Sequence, residues 1–211
     1  MNKQTMLIAI IALLIGGIGG YAITDKPYKE REEVMSDTPT GMHRMPDGTM
    51  MGGPESSMSQ TDHSMMMVKS EREFLTGMIP HHQEAVDTAK EVIARGGSTP
   101  EIKLLAENIV AAQEKEIAQM KQWYQDWYGV VYEAKSEDYE PMMRELANLS
   151  GAELDKRFLE DMVMHHMGAI MMAQSVQPYI EHNEITELTE AIVTSQTVEI
   201  ELMRKLIGEI N

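Results

Sequence analysis

The sequence predicts an all-α protein, a four-helix bundle built from one helical hairpin used twice, behind an N-terminal apolar segment and a Met-rich linker. Three observations carry this prediction. Apolar residues from about residue 70 onward recur at the 3.6-residue period of an amphipathic helix. Start and stop signals cut that stretch into four long pieces. The last two pieces also repeat the first two: Phe74, Leu75, Met78, His81, His82, Ala85 and Ala89 recur 84 residues later as Phe158, Leu159, Met162, His165, His166, Ala169 and Ala173. Past the turn the offset becomes 83, carrying Ile102, Ile109, Gln113, Glu116 and Met120 to Ile185, Ile192, Gln196, Glu199 and Met203. A single deletion that falls in a turn is what a duplicated hairpin leaves behind, and two such hairpins bury their apolar stripes against each other.

Residues 1–23 hold one lysine, Lys3, followed by an uncharged apolar run from Met6 to Ile23. This reads as an uncleaved membrane anchor or, close behind, a cleaved signal peptide. Either way the acidic remainder is exported, with Lys3 on the inner side. Residues 24–69 read as a disordered linker. Four prolines, several glycines and no sustained apolar period leave too little surface to bury. Nine of the 21 methionines nevertheless lie there, between Met35 and Met67, together with His43 and His63.

Residues 70–211 form the bundle. Ser70-x-x-Glu73 and Ser150-x-x-Glu153 have capping-box spacing, and Thr99-Pro100 supplies a cap and a first-turn proline after the Gly96-Gly97 stop. Pro178 closes a third helix. The helices are expected over 70–95, 99–128, 151–177 and 183–207, with a shorter one around 138–148 in the middle connection.

Composition narrows the function. No cysteine means no disulfide and no thiolate metal site. A formal charge of −16 repels nucleic acid and anionic headgroups and concentrates cations, although it also serves solubility alone. Methionine outnumbers leucine, 21 to 13. Its thioether is both a flexible core filler and a soft metal ligand. Four of the seven histidines stand in the two Met-x-x-His-His units. At about 100° per residue Met78, His81 and His82 share the inward stripe, as do Met162, His165 and His166. Gln113 lies as far past the first turn as His81 lies before it, and Gln196 answers His165 in the same way. Met120 and Met203 continue toward the height of Met78 and Met162.

Three readings compete for this buried cluster. It is a satisfied hydrogen-bond network, the usual state of a core histidine. It is a soft-metal site, since imidazole suits copper and zinc and thioether selects monovalent copper or silver. Or it is a carboxylate di-metal oxidase, which needs a Glu-x-x-His spacing absent near either pair. Met164, Met167 and Met171 form a further row on the opposite face, expected to be exposed. The first hairpin has Pro80, Gln83 and Asp87 there. That row either packs against Met142, Met143 or the linker, or serves as an outer copper site.

The unit seen as "MIPHHQEAVDTA" and again as "MVMHHMGAIMMA" resembles the hallmark of a bacterial family of exported, ferritin-like four-helix domains of formerly unknown function. The likeness covers about residues 70–207. With the apolar N-terminus and the Met-rich linker, the whole chain is similar to the CopM type of periplasmic copper-binding proteins. That resemblance implies binding of Cu(I), with Cu(II) as a second state and Ag(I) as an analogue, for copper resistance or trafficking. By motif position it points to Met78, His81, His82, Met162, His165 and His166. Met120 and Met203 are added by geometry, and Met164, Met167, Met171, His43 and His63 as outer or linker ligands. The expected protein is not an enzyme. It is periplasmic, held at the membrane if its N-terminus stays uncleaved, with copper ions and a further copper-handling protein as partners and no nucleic acid. The alternative is a membrane-anchored helical interaction domain without metal, docking a partner through its Met surface.

Overall fold

The computed structural model describes residues 43–44, 50–51, 67–134 and 139–210. Within the linker, β1 (His43–Arg44) and β2 (Met50–Met51) pair as a two-residue antiparallel ladder, His43 opposite Met51. The apolar N-terminal run and the rest of the linker lie outside the described residues. Among the described residues no helix is long and apolar enough to cross a membrane.

The bundle comprises α1 (Glu71–Arg95), α2 (Pro100–Tyr128), α3 (Gly151–Ser175) and α4 (Asn183–Glu209), with a 3₁₀ turn at Gln177–Tyr179. The predicted boundaries hold because the local signals act as read. Ser70 Oγ accepts the Glu73 N–H, and Thr99 Oγ1 accepts that of Ile102 with Pro100 in the first turn. The second capping box does not form, because Ser150 occupies the N-cap of α3 without a side-chain bond. Pro80 lies inside α1 and withholds the N–H due to the Thr76 carbonyl, yet the helix runs through it.

Buried polar contacts fix the topology. Asp155, near the start of α3, accepts the N–H groups of Gly97 (2.9 Å) and Ser98 (2.7 Å) at the end of α1. At the other end, Ser175 Oγ accepts the Val68 N–H, and Glu71 accepts those of Glu181 and His182. Helices α1 and α3 are therefore antiparallel and α2 and α3 are parallel, so the connection from Tyr128 to Gly151 joins opposite ends of the bundle. This is the bundle topology with one long crossover, as in ferritin-like folds. Each hairpin packs on itself, and the two hairpins meet chiefly through α1 against α3, the helices that carry the histidine pairs.

The short helix expected around 138–148 is absent from residues 139–150. Carboxylates of other elements take the backbone donors a helix would use internally. Glu84 accepts the N–H groups of Met142 and Met143, and Asp161 accepts that of Arg144. Asp161 also pairs with the Arg144 guanidinium, Arg95 donates to the carbonyls of Leu146, Ala147 and Leu149, and Leu146 is buried. These contacts hold residues 142–149 against α1 and α3.

Candidate metal centre

The predicted inward face is buried in full. Met78, Met120, Met162 and Met203 are completely enclosed, and so are the four histidines, Gln113 and Gln196. Antiparallel α1 and α3 bring the two histidine pairs together at mid-length: the rings of His81 and His165 lie 3.7 Å apart between centroids, tilted by 40°.

Carboxylates set the state of the imidazoles. His82 Nε2–H donates to Glu116 Oε2 at 2.7 Å, and its copy His166 donates to Glu199 Oε2 at 2.6 Å. A carboxylate only accepts, so Nε2 is the donor in each ring and Nδ1 is the nitrogen turned away from the carboxylate. Both Nδ1 atoms are buried without a partner. This is the carboxylate–histidine arrangement that prepares an imidazole for a metal. His165 Nε2 lies 3.3 Å from Glu84 Oε2, near but not aligned as a hydrogen bond, and neither of its nitrogens has a partner. Both nitrogens of His81 are unpartnered too, as are Gln113 Oε1 and Gln196 Oε1.

These eight orphaned atoms fall on duplicated positions and tell against a satisfied hydrogen-bond network. An unpartnered buried polar group costs about 1–3 kcal/mol. Burial, then the neighbouring His165, His82 and His166, hold the His81 pKa well below its ordinary value. Burial also lowers His165, partly offset by Glu84. Both are neutral and able to ligate. Among the described residues no three His, Asp or Glu side chains are arranged to hold a metal ion.

The outer methionine row is not exposed as expected. Met167 is buried, and Met164 and Met171 are half-buried. Arg204 of α4 reaches over Met167, its Nη2 4.0 Å from Sδ, and α3 is enclosed by α1, α4 and the crossover. His63 lies outside the described residues, and of His43 only the backbone is described. The residue the motif reading missed is Glu84. It lies one turn after His81, on the same helix, and its repeat position is Gly168.

The family model described as "Domain of unknown function (DUF305)" matches residues 23–124 and 71–207, the second match alone covering most of the chain. The chain belongs to the DUF305 family. Solved structures with the same fold include "CopM in the Cu(I)-bound form", 33% identical, TM-score 0.60, over 67% of this chain and 98% of that one. "CopM in the Cu(II)-bound form" is likewise 33% identical, TM-score 0.61, over 68% and 99%. A DUF305 fragment from Deinococcus radiodurans is 26% identical, TM-score 0.59, over 68% and 98%. A curated relative, "Uncharacterized protein L153" of Acanthamoeba polyphaga mimivirus, is 40% identical over 50 residues. That match spans 24% of this chain and about a third (32%) of the relative's length. The resemblance and the fold class read from the duplicated motif both hold.

Proposed function

We propose that this DUF305 protein is an exported, non-enzymatic copper-binding protein that holds Cu(I), and Ag(I) as its analogue, through bundle Met and His side chains. The observation that carries the reading is the set of orphaned atoms. Six imidazole nitrogens and two glutamine oxygens are buried without partners, with two rings already oriented by carboxylates and four enclosed thioethers on the same inward face. Neutral imidazole with thioether is a donor set for soft monovalent copper. The likeness to a protein solved with Cu(I), Cu(II) and silver supports the choice of metal, and Cu(II) is a second state for the imidazoles. An acidic surface that attracts cations and a Met-rich linker suit capture and hand-over, for resistance or trafficking, to another copper-handling protein. The apolar N-terminus supports a periplasmic location, at the inner membrane if it is retained.

The test is titration with Cu(I) or Ag(I) against a competing chelator. The intact chain, a variant with His81, His82, His165 and His166 all changed to Ala, and a variant lacking residues 25–69 are compared. The intact chain is expected to take metal from the chelator and the four-histidine variant to lose the bundle sites. If no version outcompetes the chelator, the copper reading fails and the metal-free interaction domain stands in its place.

A further inference from the structure

Glu84 stands between the crossover and the histidines. Its Oε1 accepts the Met143 N–H at 2.8 Å. Its Oε2 accepts the Tyr139 hydroxyl and, at 3.2 Å, the Met142 N–H, while facing His165 Nε2 at 3.3 Å. The Tyr139 and His81 rings also stand nearly perpendicular, 6.2 Å between centroids. Residues 139–143 therefore lie over the His81–His165 pair, held there by one carboxylate.

We propose that Glu84 is a positioning residue that couples occupation of His165 to release of the crossover. The inference rests on the copper reading above. An imidazole that gives Nδ1 to a cation keeps its proton on Nε2, and Glu84 Oε2 is the carboxylate placed to receive it. Closing that gap from 3.3 Å to the 2.6–2.7 Å of the His166–Glu199 and His82–Glu116 pairs moves Oε2 about 0.6 Å toward His165. Oε2 already accepts two donors, and the Met142 bond is the longer of the two amide bonds, so it is the first to break. Metal-free Glu84 serves the crossover; metal-loaded Glu84 serves His165. The second hairpin has no such device, because Gly168 stands at the matching position.

The experiment follows amide exchange of Met142 and Arg144 in the full chain with and without Ag(I), together with Ag(I) affinity by chelator competition. In the wild type, Ag(I) is expected to accelerate exchange at Met142 while Arg144, held by Asp161, is unchanged. Glu84→Gln is expected to exchange fast at Met142 without metal, to show no further response, and to bind about 10- to 100-fold more weakly. Tyr139→Phe keeps Glu84 and frees one lone pair of Oε2, so it is expected to bind about 2- to 10-fold more tightly. A merely structural role predicts weaker binding in both variants, and that result overturns the coupling. Normal Ag(I) binding with an unresponsive Met142 overturns it also and leaves the copper reading standing. No Ag(I) binding by the wild type overturns both.

Discussion

His81→Leu separates a histidine kept for binding from one kept for folding. The native ring is 1% exposed and neither nitrogen has a partner. Leucine has similar volume and no polar atom, so the substitution removes a desolvation cost without opening a cavity. Removing that cost is worth about 1–3 kcal/mol. For a domain of this size each kcal/mol shifts Tm by roughly 3 °C, so the metal-free variant is expected to melt roughly 3–9 °C above wild type at pH 7.5. Acidification sharpens the contrast. Burial, and then its histidine neighbours, hold native His81 well below the ordinary value of 6.5, so below that pH the unfolded chain takes a proton the native one refuses. Wild-type stability therefore falls as pH drops through 6.5, by about 1.4 kcal/mol from this residue by pH 5.5. His81→Leu lacks this contribution, and its advantage grows toward acid. Saturating Ag(I) works against that advantage at pH 7.5, since a ligand at 100 times its Kd adds about 2.7 kcal/mol to the form that binds it. The assay is calorimetric melting of both proteins at pH 7.5 and 5.5, with and without Ag(I). A metal-free variant less stable than wild type by more than about 1 kcal/mol refutes the reasoning, because the ring would then have been making a stabilising contact.

Glu116→Gln and Glu199→Gln leave the fold intact but release His82 and His166 from their oriented state, so Ag(I) affinity by competition is expected to fall about 10- to 100-fold for each. Asp155→Ala strips the Gly97 and Ser98 amides of a buried charged acceptor and is expected to cost about 3 kcal/mol in urea denaturation, with little change in metal affinity. Copper held by imidazole is expected to leave as pH falls below about 6, while thioether-held copper stays, so full retention at pH 4.5 by X-ray absorption removes the histidines from the ligand set. Titration of the bundle is expected to show two affinities separated by about 10-fold or more, because only one of the facing imidazoles His81 and His165 has a carboxylate behind it. A single affinity contradicts that assignment.

Much of this arrangement is legible in the sequence because it depends on local rules. Helix ends follow from Ser70, Thr99, Pro100 and Gly96, and the inward direction of His81, His82, His165 and His166 follows from helical angle alone. What the sequence does not show depends on elements far apart in the chain. Ser70 and Ser150 have the same motif, yet only Ser70 caps. The segment around 138–148 has helical propensity but meets Glu84 and Asp161, whose oxygens outbid its own carbonyls for the N–H groups. Met167 reads as exposed by angle but is buried, with Arg204 of α4 in contact with its sulfur. Glu84 gave no signal of its own, since its partners lie more than fifty residues away.

The duplication also explains where the two halves part. The pseudo-symmetry that carries His165 onto His81 carries Glu84 onto Gly168, so the carboxylate beside His165 has no mate beside His81. His82 and His166 keep equivalent partners in Glu116 and Glu199. The copies therefore agree wherever the hairpin's own second helix supplies the partner and disagree where the partner comes from across the hairpin interface. His81 and His165 are both without a hydrogen-bond partner at either nitrogen, but only His165 has a carboxylate nearby, Glu84 at 3.3 Å, while His81 has the Tyr139 ring beside it. The carboxylate that distinguishes the two facing rings therefore sits on one hairpin and acts on the ring of the other, a difference the duplicated sequence cannot carry within either copy.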